Sequence, residues 1–192
     1  MPMKLVVGLG NPGVQYAGTR HNAGFDVIAE LVRRWQSGKS QMKFSSEIWE
    51  VFADMGKILL VTPTTYMNRS GEAVQQITRF YQVLPQDVAV VCDDINLPLG
   101  GIRWRASGSA GGQKGLADII QSLGTDQIPR LRLGVGRPPG QMDAAAFVLS
   151  RFRAEERSES EIMTKIAADS VETWVADGVV SAMNQFNRSS EE

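Results

Sequence analysis

Residues 88–94 read Val-Ala-Val-Val-Cys-Asp-Asp. The first five are apolar without interruption, so the segment has no polar face to offer water and suits a strand covered on both sides, as in the parallel core of an α/β sheet. Asp93 and Asp94 follow at once. They set two carboxylates at a strand end, where loops carried by a rigid sheet gather functional groups. A second such run, Lys4-Leu5-Val6-Val7-Gly8-Leu9-Gly10, stops at Asn11-Pro12-Gly13 and predicts another buried strand entering a loop.

Apolar residues at helical spacing fill Phe25–Trp35 and Ser70–Val83. Two β-rich runs within Ile48–Val61, separated at Met55-Gly56-Lys57, predict a hairpin. Beyond the acidic pair, Gly101–Ala106 fits an edge strand, Gln113–Leu123 a helix, and Arg130–Val135 a strand whose basic residues alternate with leucines. After Pro138-Pro139-Gly140 the pattern turns helical, with Ile162–Val175 the clearest amphipathic stretch and a second piece running to Phe186. Strands alternating with helices predict an α/β, single-domain, three-layer sandwich, its sheet mixed but mostly parallel and flanked by helices. The domain is expected over residues 1–188, with a short polar, acidic tail at 189–192.

A chain of 192 residues, 43% apolar, can bury one sizeable core but hardly two. No apolar run is long enough to span a bilayer and no leader pattern opens the chain, so a cytoplasmic protein without membrane contact is expected. The single cysteine, Cys92, excludes an internal disulfide and a cysteine-built zinc site, and its place within an apolar run reads as core. A formal charge of −1 does not announce a nucleic-acid binder. The distribution is uneven, however. Between residues 100 and 140 stand Arg103, Arg105, Lys114, Arg130, Arg132 and Arg137 against Asp118 and Asp126, while residues 155–161 and the chain end are acid-rich. Such asymmetry permits a phosphate-binding face on a nearly neutral protein.

Gly8-Leu9-Gly10-Asn11-Pro12-Gly13 matches the G-x-G-x-x-G pattern of dinucleotide-binding turns. The context argues against that use. A helix should open inside the motif and aim its N–H groups at a pyrophosphate, but Pro12 removes a donor and the next apolar helix waits until Phe25. His21 is the sole histidine, set in the polar loop Thr19-Arg20-His21-Asn22-Ala23-Gly24. A general base needs a partner to fix its tautomer, and Asp93 is the candidate; a surface imidazole and a strand-end turn are the plainer readings of the two. A hard-cation site at Asp93-Asp94 is the other possibility, weakened because an activated ester can be hydrolysed by a base and neutral donors alone. No G-x-S-x-G elbow occurs, so water is the better nucleophile. Asn11 and Asn68, in loops after strands, can each donate to a carbonyl oxygen and accept from a peptide N–H, although asparagine there also serves turns and caps.

Several separated blocks together resemble the bacterial peptidyl-tRNA hydrolase family over nearly the whole chain. They are VVGLGNPGVQYAGTRHNAGF, PTTYMNRSGEAV, CDDINLPLG, GSAGGQKGLADII, and RLRLGVGRP followed by FVLSRF. The resemblance implies a monomeric, metal- and cofactor-free enzyme that hydrolyses the ester of peptidyl-tRNA, engaging the acceptor stem and 3′ end. It implies that His21 activates water, Asp93 supports it, Asn11 reads the blocked amine, and Asn68 holds the substrate backbone or the oxyanion. Tyr16 and Tyr66 would line the same crevice, and Arg103, Arg105 and Arg132 would meet tRNA phosphates. One block departs from the family pattern: G-G-H-N-G is replaced by Gly111-Gly112-Gln113-Lys114-Gly115. Lys114 keeps a donor, loses an acceptor and adds a charge that could meet a phosphate of the tRNA end. The rival expectations are a non-catalytic RNA-binding relative of the same fold and a metal-dependent esterase.

Overall fold

The computed structural model describes residues 2–54 and 56–187. The strands are β1 (Lys4–Gly8), β2 (Gln41–Lys43), β3 (Ser46–Ala53), β4 (Gly56–Pro63), β5 (Val88–Asp94), β6 (Ile102–Arg105) and β7 (Arg130–Gly134). The helices are α1 (Ala23–Arg34), α2 (Ser70–Tyr81), α3 (Lys114–Leu123), α4 (Ala144–Val148) and α5 (Arg157–Phe186). The strands form one sheet in the order β2-β3-β4-β1-β5-β7-β6.

Side-chain alternation along the central strands builds two cores. Leu5, Val7 and Leu9 of the first strand and loop, with Val88, Val90 and Cys92 of β5, join Val74 and Ile77 of α2 and Leu116 and Ile119 of α3. Val6, Ala89 and Val91 face the other way, onto Val27, Ile28 and Leu31 of α1 and Ala167, Val171 and Trp174 of α5. Every residue of β5 is buried, as its unbroken apolar run demands. The result is the expected α/β three-layer sandwich. Its parallel part is the central quartet β4-β1-β5-β7, and the hairpin strands and β6 add antiparallel pairings at both edges. Three of the six pairings are antiparallel, so "mostly parallel" holds for the covered centre rather than for the whole sheet.

The close seat of α1 positions the site. A Cβ on Gly8 would overlap the Gly24 carbonyl and the Ile28 side chain, and one on Gly24 would overlap the Val91 carbonyl and the Leu9 backbone. The Gly8 end of the G-x-G-x-x-G pattern thus serves helix–strand contact. Two 3-10 turns, Val14–Tyr16 and Arg20–Asn22, precede α1. The second of them carries His21 beside the C-terminal end of β5.

Elsewhere the structure adds to the sequence reading. β2 and α4 were not expected from the sequence. The C-terminal helix starts at Arg157, ahead of the Ile162 predicted, and non-helical torsion at Gly178 (φ 84°) separates its two pieces. Asn187 ties the chain end back to the edge strand, accepting from Trp104 N at 2.7 Å and donating to its carbonyl at 2.8 Å. The expected tail, 189–192, lies outside the described residues.

Candidate active site

His21 is held through both of its neighbours. Arg20 is buried, and its guanidinium donates to the Arg151 carbonyl at 2.6 Å, to Ser150 Oγ at 2.8 Å and to Glu156 at 2.6 Å. It also lies over the rings of Phe147 and Phe152, 4.3 and 5.1 Å from their centroids. On the other side, Asn22 accepts from Asn11 N at 2.8 Å and donates to Asn11 O at 3.0 Å. The turn is therefore anchored to the loop after β1 and to the segment following α4. Neither anchor uses the imidazole.

That imidazole meets the carboxylate named from sequence. Nδ1 of His21 lies 3.0 Å from Oδ1 and 2.9 Å from Oδ2 of Asp93. A carboxylate can only accept, so Nδ1 is the donor, and in the neutral ring the lone pair is on Nε2. Asp93 is almost fully buried, where a carboxylate requires partners, and Gln113 Nε2 donates to its Oδ1 at 3.1 Å. Asn11 Oδ1 accepts from Met67 N at 2.8 Å, which leaves its Nδ2 without a partner among the described residues.

These groups border one cavity of about 700 Å³. Of the residues singled out from sequence, Asn11, His21, Tyr66, Asn68, Asp93, Lys114 and Arg132 line it. Asn68 is exposed on the 3-10 turn Met67–Arg69 rather than in an irregular loop. Tyr16 is not among the residues lining this cavity; it ends its own 3-10 turn, whose bonds run to Thr19. Arg103 and Arg105 also lie outside it, on the edge strand. Arg103 pairs in register with the wall residue Arg132, and Arg105 with the buried Arg130. Ala144, Ala145, Val148 and Leu149 supply an apolar side from the 138–153 segment.

Charge is distributed with a clear division. Arg132 lies 2.5 Å from Asp94, an ion contact that fixes the guanidinium in the wall. Asp94 also accepts from Asn96 N at 2.8 Å, so the two strand-end carboxylates serve different partners. Arg130, basic in sequence, is buried and spends its donors on the carbonyls of Gly108, Ser109, Asp126 and Ile128. Burial, and after it the charges of Asp93 and Asp94, push the Cys92 thiol far up, so it remains protonated and inert. Among the described residues no group of three or more His, Cys, Asp or Glu side chains is arranged to hold a metal ion.

The family model described as peptidyl-tRNA hydrolase matches residues 5–192. The chain belongs to the peptidyl-tRNA hydrolase family. Its relatives include the peptidyl-tRNA hydrolase of Rhodopirellula baltica, 49% identical over 188 residues, 98% of this chain and 99% of that one. That of Chlorobaculum tepidum is 46% identical over 187 residues, 96% and 98% of the two chains. Among solved structures, peptidyl-tRNA hydrolase from Acinetobacter baumannii is 35% identical with a TM-score of 0.89, covering 96% of this chain and 94% of that one.

For this peptidyl-tRNA hydrolase family member, sequence reasoning missed Arg20, Asn22 and the α4 wall, and it treated Gln113 only as a departure. Arg20 reads as a solvated cation in a polar loop, with no signal of burial. Gln113 did carry one: it opens the run expected to be helical, where a side-chain oxygen can cap.

Proposed function

We propose that His21, oriented by Asp93, takes a proton from the water that attacks the ester carbonyl of peptidyl-tRNA. The reaction itself, hydrolysis of the bond between peptide and tRNA, follows from membership of the family. The observation that carries the assignment is the pair of 3.0 and 2.9 Å contacts from Nδ1 to Asp93 in the wall of a large cavity. A base so held has its proton-accepting nitrogen defined before substrate arrives, and an imidazolium that forms beside a carboxylate is stabilised.

Asn11 offers Nδ2 toward the peptide carbonyl that distinguishes a blocked amine from a free ammonium, because its oxygen is already taken by Met67 N. Asn68 donates to the oxyanion or the substrate backbone. Tyr66 packs at the mouth, where it is 57% exposed. Lys114 and Arg132 receive phosphates of the 3′ end, and Arg103 and Arg105 extend the cationic track along the sheet edge toward the acceptor stem. Tyr16 would meet substrate only outside the cavity. The non-catalytic RNA-binding alternative drew support from the altered GGHNG block, but Gln113 supports Asp93 rather than dismantling the pair.

A monomer of one domain acting without a protein partner is part of this reading, as the family resemblance implies. No helix among the described residues is long and apolar enough to cross a membrane, in keeping with a cytoplasmic enzyme. The test separates chemistry from binding. His21→Ala should abolish turnover and spare tRNA affinity, whereas Arg105→Gln should raise KM and reduce the slope of log affinity against log salt by about one. Equal effects of both changes on both parameters would overturn the assignment.

A further inference from the structure

Gln113 has every polar group committed. Its Oε1 accepts from Leu116 N at 2.8 Å, capping α3, and its Nε2 donates to Asp93 Oδ1 at 3.1 Å and lies 3.2 Å from Met67 Sδ. The amide cannot be reversed, since a backbone N–H only donates and must find the oxygen. Nε2 therefore faces Asp93 in every protonation state of the site. An amide does not titrate between pH 4 and 10, unlike the imidazole that the family pattern places here.

From this arrangement we propose that Gln113 is a positioning residue that fixes the tautomer of His21 by holding the Asp93 carboxylate in place. The inference rests on reading His21 as the base. Asp93 Oδ1 receives two donors, Gln113 on one side and His21 on the other. Without Gln113 the carboxylate keeps His21 as its one side-chain partner and can turn about its terminal bond, so the Nδ1 contact loses definition. A free imidazole favours the proton on Nε2, the nitrogen that must be empty for the base to work. Outer partners that orient a functional histidine in this way are worth about 10- to 100-fold in activity where they support metal ligands, and the same scale is expected here. The network is closed: Met67 presents its N–H to Asn11 and its sulfur to Gln113, so the groups reading the peptide and activating water share one frame.

Two substitutions separate positioning from capping. Gln113→Asn keeps a neutral side chain and a good N-cap oxygen but is one methylene too short to reach Asp93. Gln113→Met keeps length without a donor or a cap oxygen, so an effect it shares with Gln113→Asn, which retains the cap, belongs to the Asp93 contact. His21 is the sole histidine, so 15N NMR of the ring reports its tautomer without ambiguity. In the unsubstituted protein Nδ1 should be protonated. At about pH 8 both variants should shift the proton toward Nε2. Both should also lower kcat on N-acetylaminoacyl-tRNA about 10- to 100-fold, while KM and the melting temperature of Gln113→Asn stay near those of the parent. An unchanged tautomer with kcat within about twofold in both would overturn the proposal and leave Gln113 a helix cap. A changed tautomer with unchanged kcat would instead overturn the reading of His21 as the base.

Discussion

Replacing Asp93 by asparagine should silence the enzyme while leaving its shape intact, and the structure gives the reason atom by atom. The carboxylate accepts from His21 Nδ1 and from Gln113 Nε2. Its amide replacement has a single oxygen. Gln113 cannot reverse, because its own oxygen is bound to Leu116 N, so the new oxygen turns to Gln113 and the new NH2 faces His21. Nδ1 must then accept, and the imidazole proton moves to Nε2, blocking the base. In serine-protease triads the equivalent exchange costs about 10⁴ in kcat, or about 5.5 kcal/mol of transition-state stabilisation. A loss of that order is expected here, with KM within about twofold because no cation in the wall is touched. Single-turnover hydrolysis of N-acetylaminoacyl-tRNA measures the chemical step, and filter binding of uncharged tRNA measures affinity. A kcat within about tenfold of the parent would refute the reasoning, as would a rise in KM with kcat unchanged.

Two further outcomes follow from burial. Arg20→Leu leaves Glu156 and the Ser150 and Arg151 carbonyls without their donor, and loss of one partner of a buried pair costs about 3 to 5 kcal/mol, read as a lower urea midpoint, with turnover falling as the His21 turn loosens. Burial raises the carboxyl of Asp26, in the first turn of α1, from 3.8 to about 6. The folded state therefore holds that proton after the unfolded chain has released it, and the resulting penalty grows from about pH 4 to about pH 6 and persists above. Asp26→Asn should raise stability at pH 8 by about 1 to 2 kcal/mol and leave it unchanged at pH 4, as urea melts at both pH values would show.

The central strands were legible because burial on both faces forces an unbroken apolar run, and Val88–Cys92 has no other use for one. The sense of pairing was less so: β3 and β6 look like strands locally, but what makes them antiparallel to the centre, while β4 runs parallel to β1, is their connection, not their composition. Gln41-Met42-Lys43 is wholly exposed and exists as β2 only by pairing with β3, so no periodicity could announce it. α4, Ala-Ala-Ala-Phe-Val, is too short to show a helical period. His21 and Asp93 could be paired from sequence because one was the sole histidine in a polar loop and the other closed a buried strand. Their supports could not. Arg20 is a cation in a polar loop, and only the tertiary structure puts Glu156 and two aromatic rings around it. Tyr16, which the family resemblance set beside Tyr66, ends a 3-10 turn of its own and is not among the residues lining the cavity.

The most direct test of water activation by His21 is release of N-acetylaminoacyl groups from tRNA by the parent protein and by His21→Ala, beside the same tRNA carrying an unblocked amino acid. The parent should cleave only the blocked substrate, and His21→Ala should bind tRNA with parental affinity and release almost nothing. Cleavage by His21→Ala at the parental rate, or equal cleavage of both substrates by the parent, would contradict the account.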